Sequence, residues 1–157
     1  MIYRRATLED IDQLVECRLD MRLEREAGNT AIGIEEFRSS NYDYFKKHLP
    51  DGSFIAWVAL DEGKIVATSG LCFFCAPPTF SNPSGNTAYI MNIYTKPGYR
   101  NRGIASKLTG HIIREAKLRE CGKITLHASE MGRPIYVKHG FRDVGGDMEL
   151  YPGGTVP

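Results

Sequence analysis

The sequence predicts a mixed α/β (α+β) protein, with a central, mostly antiparallel sheet of about six to seven strands and helices on both faces. Two apolar stretches, Phe54 to Leu60 and Ile65 to Cys72, flank the turn residues Asp61-Glu62-Gly63-Lys64 and read as an antiparallel hairpin. Phe141 to Val144 and Met148 to Tyr151 flank Gly145-Gly146 and read as a second hairpin near the end. Between the two, a strand-like run from Tyr89 to Thr95 passes through a glycine turn into a helical pattern and on to another strand at Ile124.

Taken in order, Ile2 to Arg5 is a short opening strand. Thr7 then caps a helix whose first turn carries Glu9 and Asp10. Ile11, Leu14, Val15, Leu19 and Leu23 follow at helical spacing, to a stop near Gly28-Asn29. A second helix after Gly33 presents Ile34, Phe37, Tyr44 and Phe45; Ser39-Ser40-Asn41 interrupts it, and Pro50-Asp51-Gly52 closes it. The loop from Pro77 to Asn86, rich in proline and small polar residues, is of the kind that lies on a surface and borders sites. In the helix after the glycine turn, Ile104, Leu108 and Ile112 give one buried face. Gly110 inside it costs about 1 kcal/mol relative to alanine and reads as a close packing point. Cys121-Gly122 ends that helix, Ile124 to Leu126 begins a strand, and Met131 to Lys138 forms a short helix stopped by Gly140. The tail after Pro152 is expected to fray. No repeat, low-complexity segment or linker divides the chain, so residues 1–157 are expected to form one domain.

Composition narrows the partners. Apolar residues make up 42% and charged residues 25%, the balance of a chain with an ordinary buried core. A formal net charge of +1 gives no reason to expect nucleic acid or a membrane surface. No apolar run approaches the ~18 residues of a membrane span, and Met-Ile-Tyr-Arg-Arg-Ala lacks the apolar region of a signal peptide, so the cytoplasm is the expected compartment. Cys72 and Cys75 have a C-x-x-C spacing, but in a strand residues three apart point to opposite faces. Buried structural thiols are expected, and no metal.

The centre of the chain is Tyr89 to Lys107. A strand ends at Pro97, a turn carries Gly98, Arg100, Arg102 and Gly103, and a helix begins. The first amides of a helix have no acceptor within it, and its dipole is positive there, so this arrangement cradles an anion, most often a phosphate. Gly103 lets the anion approach bare backbone, and Arg100 and Arg102 offer charge-assisted hydrogen bonds. A solvated turn is the alternative reading for the two arginines.

Arg100-Asn101-Arg102-Gly103-Ile104-Ala105 resembles the R/Q-x-x-G-x-G/A signature of the GCN5-related N-acetyltransferases. About thirty residues on, Ile135-Tyr136-Val137-Lys138-His139-Gly140-Phe141 resembles that family's second motif, often L-Y-x-x-x-G-F, and the order of elements matches over essentially the whole chain. The resemblance implies acetyl-coenzyme A as donor, a primary amine of a small molecule or peptide as acceptor, no metal, and a homodimer as a common assembly. It implies that Ile93, Tyr94 and Thr95 line the pantetheine arm, and that Arg100, Asn101, Arg102, Gly103, Ile104, Ala105 and Ser106 surround the pyrophosphate. In the family the arginine at the position of Arg100 often turns back into the loop, leaving the backbone to bind.

Acetyl transfer needs a neutral amine, a donor for the thioester oxyanion and a proton for the leaving thiolate. The resemblance places the oxyanion donor on the backbone near Ile93 or Tyr94, and the proton donor on Tyr136, where a packed tyrosine is the alternative. No acid lies between Tyr89 and Thr95, where some members carry a glutamate; Tyr89, Asn92 and Tyr94 are the polar side chains there. His127 has a suitable intrinsic pKa for a base, with a structural role as the alternative; Glu130 and a water chain stay open. Glu35 and Glu36 could attract an ammonium, though a solvated helix face accounts for them. Where many members have Asn seven residues before the tyrosine and Ala near the helix start, this chain has Ser129 and Gly132; Ser129 can still hydrogen-bond the arm.

The expectation is therefore direct transfer in a ternary complex. Cys121 near a helix end is poorly placed to carry an acetyl group, because the dipole there disfavours thiolate. The first rival is a non-catalytic acyl-coenzyme A sensor on the same fold. The second is another nucleotide-binding module, against which stands the lack of G-x-G-x-x-G and G-x-x-x-x-G-K-[ST].

Overall fold

The structure is a computed structural model and describes residues 1–26 and 32–146. Its elements are β1 (Ile2–Arg5), α1 (Ile11–Glu26), α2 (Ile34–His48), β2 (Phe54–Asp61), β3 (Lys64–Cys75), β4 (Asn86–Thr95), α3 (Ile104–Leu118), β5 (Lys123–Leu126) and α4 (Arg133–Lys138), with single 3-10 turns at Leu8–Asp10 and Pro97–Tyr99. The sheet runs β1-β2-β3-β4-β5, antiparallel except for the parallel pair β4 and β5, which α3 connects. No described helix is long and apolar enough to cross a membrane.

Both faces of the sheet are covered, as the sequence predicts. Phe54, Ala56, Val58 and Leu60 alternate along β2 and meet Ile11, Leu14, Val15, Cys17 and Met21 of α1 and Phe45 of α2. On the other face Ile104 and Leu108 of α3 pack on Ala59, Val66 and Ala67, while Ile112 and Ala116 pack on Leu71, Ala88 and Ile90. The β2–β3 hairpin turns at Glu62 and Gly63, both at positive φ (48° and 77°), as a two-residue hairpin loop requires.

Two buried carboxylates fasten the ends of the fold. Asp10 accepts Arg4 Nη1 at 2.6 Å, Arg4 Nη2 at 2.9 Å and the Thr7 amide at 2.8 Å, tying β1 to the start of α1. The Arg4 hydrogen bond is the largest influence on the Asp10 carboxyl and helps hold it below its usual pKa. Glu115 of α3 accepts Arg5 of β1 at 2.6 Å and Trp57 Nε1 of β2 at 2.9 Å. Burial pushes its pKa up, but these partners outweigh burial and leave it low.

Several expectations change. The triplet Ser39-Ser40-Asn41 does not interrupt α2. Both serines are exposed, and Asn41 Nδ2 donates one turn back to Phe37 O at 2.8 Å, so the polar residues are absorbed by solvent and backbone. Residues 141–146 form no strand: Phe141 is held instead by its ring against Tyr136 (5.9 Å between centroids) and Asp143 by an ion pair with Arg133. The described sheet therefore has five strands. The expected strand Met148 to Tyr151, the tail after it, and the stop at Gly28-Asn29 lie outside the described residues. Cys17 is buried, its thiol pushed up to about 11 by burial, but Cys72 is half-buried and Cys75 exposed, so buried thiols describe only part of the set. A Cβ at Gly110 would meet only His139 Cε1 at 3.6 Å, an ordinary contact, so close packing does not require that glycine.

Because the Asp10 carboxyl is depressed in the folded state, its stabilisation is present above the ordinary carboxylate pKa of about 4 and is lost as pH falls through the folded value. Urea unfolding of Asp10→Asn should show a loss of about 1–3 kcal/mol at pH 7 and a flatter decline than wild type from pH 5 to pH 2. An unchanged decline would remove Asp10 from the acid response.

Candidate active site

The site begins where the sheet splits. β4 and β5 pair from Thr87↔Lys123 to Ile90↔Leu126. Beyond that pair β5 ends while β4 continues to Thr95, so the edge of β4 from Met91 onward has no ladder partner among the described strands. Backbone amides and carbonyls there are open to an extended ligand.

The open edge is bent by a bulge. On β3, Thr68 pairs with Tyr94 and Gly70 with Met91, so three steps along β4 match two along β3. Asn92 takes the surplus in a left-handed conformation, φ +55°, which asparagine tolerates far better than β-branched residues do. Thr68 Oγ1 donates to Asn92 O at 2.9 Å. Arg18 of α1 donates through Nη1 to Asn92 Oδ1 and through Nε to Asn41 Oδ1 at 2.6 Å, so both helices hold the bulge. Opposite it, a Cβ on Gly70 would lie 2.5 Å from Phe54 Cζ and 3.2 Å from Met91 O, so glycine is needed for the approach.

At the far end of β4, Asn101 (φ +61°) and Gly103 (φ +74°) turn the chain into α3. Lys107 N to Gly103 O, at 3.1 Å, is a first-turn bond of that helix, and the amides before it point out of the helix start. Arg100 turns back into the loop: Nε donates to Thr95 O at 2.9 Å and Nη2 to Glu24 Oε2 at 2.6 Å. The other Glu24 oxygen accepts the Tyr94 hydroxyl at 2.8 Å, so one carboxylate of α1 fastens both β4 and the turn. Burial, and then Glu24, push the Tyr94 phenol well above its ordinary pKa. The Thr95 hydroxyl is buried with no hydrogen-bond partner among the described residues.

The opposite wall comes from β5 and α4. Tyr136 is 8% exposed, and burial raises its pKa, so the phenol is protonated at neutral pH. Ser129 Oγ accepts the Gly132 amide at 3.2 Å, ahead of α4. Ser106 of α3 meets His139, with 3.1 Å between Oγ and Nε2, linking the two helices.

Ile93, Tyr94, Thr95, Arg100, Asn101, Gly103, Ile104, Ala105, Ser106, His127, Ser129 and Tyr136 all line one cleft of about 700 Å³. Arg102 is not in that lining; its guanidinium lies over the Tyr99 ring, 5.1 Å from the centroid. Glu35, Glu36, Glu130 and the Pro77–Asn86 loop are also absent from it. Glu35 pairs with Arg38 at 2.6 Å. In the loop, buried Asn82 turns inward to Asn86 O at 3.2 Å. The resemblance implies an acceptor pocket built from the first two helices and the Pro77–Asn86 loop, but the sequence reading named no side chain of α1, where Arg18, Met21, Arg22, Glu24 and Arg25 line the cleft. The signal was present as arginines at positions i, i+4 and i+7 beside the apolar stripe.

A model of the acetyltransferase (GNAT) family matches residues 18–141. The crystal structure of a predicted acetyltransferase from Clostridium acetobutylicum, solved with acetyl-CoA, is 37% identical, with a TM-score of 0.85 over 96% of this chain and 95% of that one. A GCN5-related N-acetyltransferase from Ralstonia eutropha JMP134 is 30% identical, with a TM-score of 0.84 over 98% and 99% of the two chains. The glucosamine 6-phosphate N-acetyltransferase of Trypanosoma brucei brucei is 29% identical over 80 residues, 51% of this chain and 52% of that protein, so the chain spans about half the length of this curated relative. The chain belongs to the GNAT acetyltransferase family.

The bulge geometry predicts an ordering of variants at Asn92. Asn92→Val forces a β-branched residue to positive φ and removes the Arg18 acceptor, and should cost about 1–3 kcal/mol in urea unfolding. Asn92→Gly keeps the conformation and should cost less. Equal losses would mean that the backbone conformation is not what the site requires.

Proposed function

We propose that this member of the family is an acetyl-coenzyme A-dependent N-acetyltransferase, formed by residues 1–157 as one domain, that transfers the acetyl group directly to a primary amine in a ternary complex. The carrying observation is a single cleft that has the unpaired β4 edge and the start of α3 on one side and buried, protonated Tyr136 on the other.

The chain's own groups suit each part of the donor. The amides leading into α3, from Asn101 to Ser106, receive the pyrophosphate, with Gly103 leaving open space beside the backbone. Arg100 acts indirectly, by fixing the loop through Thr95 O. The edge from Ile93 to Thr95 pairs with the pantetheine amides in the manner of an added strand, and the unpartnered Thr95 hydroxyl has a donor or acceptor to gain there. Ser129 retains a hydroxyl hydrogen for the arm while it caps Gly132.

In the reaction the neutral amine nitrogen attacks the thioester carbonyl carbon. The bulge aims an amide of Ile93 or Tyr94 at the oxyanion that forms. The intermediate collapses by breaking the C–S bond, and the departing thiolate takes the Tyr136 proton. The proton shed by the product nitrogen leaves through water past His127 at the exposed rim and restores the phenol.

Calorimetry with acetyl-coenzyme A, NAD and ATP tests the donor, and coenzyme A release with a panel of amines tests turnover. Binding of acetyl-coenzyme A without any turnover would favour a sensor. Gly103→Glu, which places a carboxylate in the cradle, should abolish coenzyme A binding while circular dichroism stays native. Retained affinity would refute the cradle. Tyr136→Phe should lower kcat by about tenfold to a thousandfold with little change in KM for the donor; an unchanged kcat would make Tyr136 a packing residue.

A further inference from the structure

We infer that His139 is a positioning residue for the donor: its ring N–H fixes the Ser106 hydroxyl so that the serine proton is directed at a pyrophosphate oxygen. The inference rests on the acetyl-coenzyme A reading above and adds to that site a residue that does not itself line the cleft.

Hydrogen-bond chemistry sets the direction of the contact. His139 Nε2 lies 3.1 Å from Ser106 Oγ and 3.0 Å from Ser106 O. A carbonyl oxygen only accepts, so Nε2 carries the proton and shares it between the two oxygens, as three-centre bonds near helix ends commonly do. A ring nitrogen that donates has no lone pair for the hydroxyl, so Ser106 Oγ accepts here and keeps its own proton for another partner. A helical serine or threonine often donates to the carbonyl four residues back, as Thr109 Oγ1 does to Ala105 O at 2.8 Å. Ser106 is the third residue of α3, so the residue four back is Arg102, in the turn before the helix. Among the described residues the hydroxyl's hydrogen-bonding side-chain partner is His139. Ser106 lines the cleft beside Gly103 and Ala105, where first-turn amides lack helical acceptors. An anion drawn to those amides meets a hydroxyl with a proton to give, and the bond between them is charge-assisted.

The end of α4 places the histidine. Its amide donates to Tyr136 O at 2.9 Å, and the Phe141 amide closes on the same carbonyl at 3.0 Å after Gly140 turns at φ +89°. The ring lies on the face of α3 made by Ser106 and Gly110, one turn apart, with Cε1 3.6 Å from where a Cβ of Gly110 would stand. Tyr136 is three residues earlier, in α4 itself. One contact therefore connects the helix that carries the proposed acid to the seat proposed for the pyrophosphate.

The test is a double-mutant cycle, read by calorimetry with acetyl-coenzyme A on the full chain. Ser106→Ala should weaken binding about tenfold and His139→Leu about fivefold, the worth of one charge-assisted hydrogen bond and of part of it. With both changes the loss should stay near that of Ser106→Ala alone, because the histidine acts through the hydroxyl. His139→Gln, whose amide can put an N–H where Nε2 stands, should bind within about twofold of wild type. His139→Asn, one carbon shorter, should lose as much as His139→Leu, and it replaces leucine in the cycle if circular dichroism shows the leucine variant unfolded. A merely structural tie between α3 and α4 gives a different pattern. The Ser106 carbonyl survives in Ser106→Ala, so removal of His139 would then cost the same in both backgrounds. Additive losses would overturn the inference, as would an unchanged affinity in Ser106→Ala or equal losses in His139→Gln and His139→Asn. If wild type itself does not bind acetyl-coenzyme A, the donor reading fails instead.

Discussion

The site depends on one backbone constraint, the left-handed residue in the middle of β4. A regular strand would pair with β3 in even register and aim its amides within the sheet. The surplus residue at Asn92 breaks that register beside the gap that β5 leaves. A conformation of this kind costs free energy, and the surroundings determine it from several sides. Thr68 holds the carbonyl, Arg18 holds the side chain, and the missing side chain of Gly70 makes room. Thr68 and Gly70 belong to β3 and Arg18 to α1, and Asn41 of α2 holds Arg18 in turn, so the sheet and both helices brace the bulge.

A second consequence concerns Glu24. A carboxylate beside the start of α3 should repel the phosphates proposed to bind there. Its charge is instead taken up by Arg100 and by the Tyr94 hydroxyl. The arrangement turns an unfavourable neighbour into the tie that fixes α1 to the turn. It also accounts for Arg100 as a support of the loop at the cleft wall, with its guanidinium donating to Thr95 O and Glu24.

The sheet, the hairpin at Glu62-Gly63 and the start of α3 were legible because they are written in local patterns: alternation, turn glycines and helical spacing. The same holds for the place of Tyr136 in the cleft wall, because its motif is contiguous. Three features were not legible, each for a physical reason. The continuity of α2 through Ser39-Ser40-Asn41 depends on Asn41 bonding back to Phe37 O, a choice between turn and helix that tertiary contacts decide. The bulge at Asn92 depends on a β3 register set twenty-odd residues away in the chain. The α1 wall depends on how the helix is rotated over β4: its apolar stripe fixes what goes inward, but not which polar flank meets the cleft. The expected strand at Phe141 had the right residue types, yet a strand exists only through a partner's backbone, and here side chains anchor the segment.

β4 carries no acid among its ten residues, so the transfer proposed above cannot pass the amine's proton to a carboxylate on that strand. Glu24, the acid of the α1 wall, is taken up by the Tyr94 hydroxyl and Arg100 and is poorly placed to serve instead. In the proposed reaction the proton goes to water at the rim of the cleft, where His127 is exposed. On that reading the strand that pairs with the donor needs no base of its own, and its side chains are left to shape the bulge.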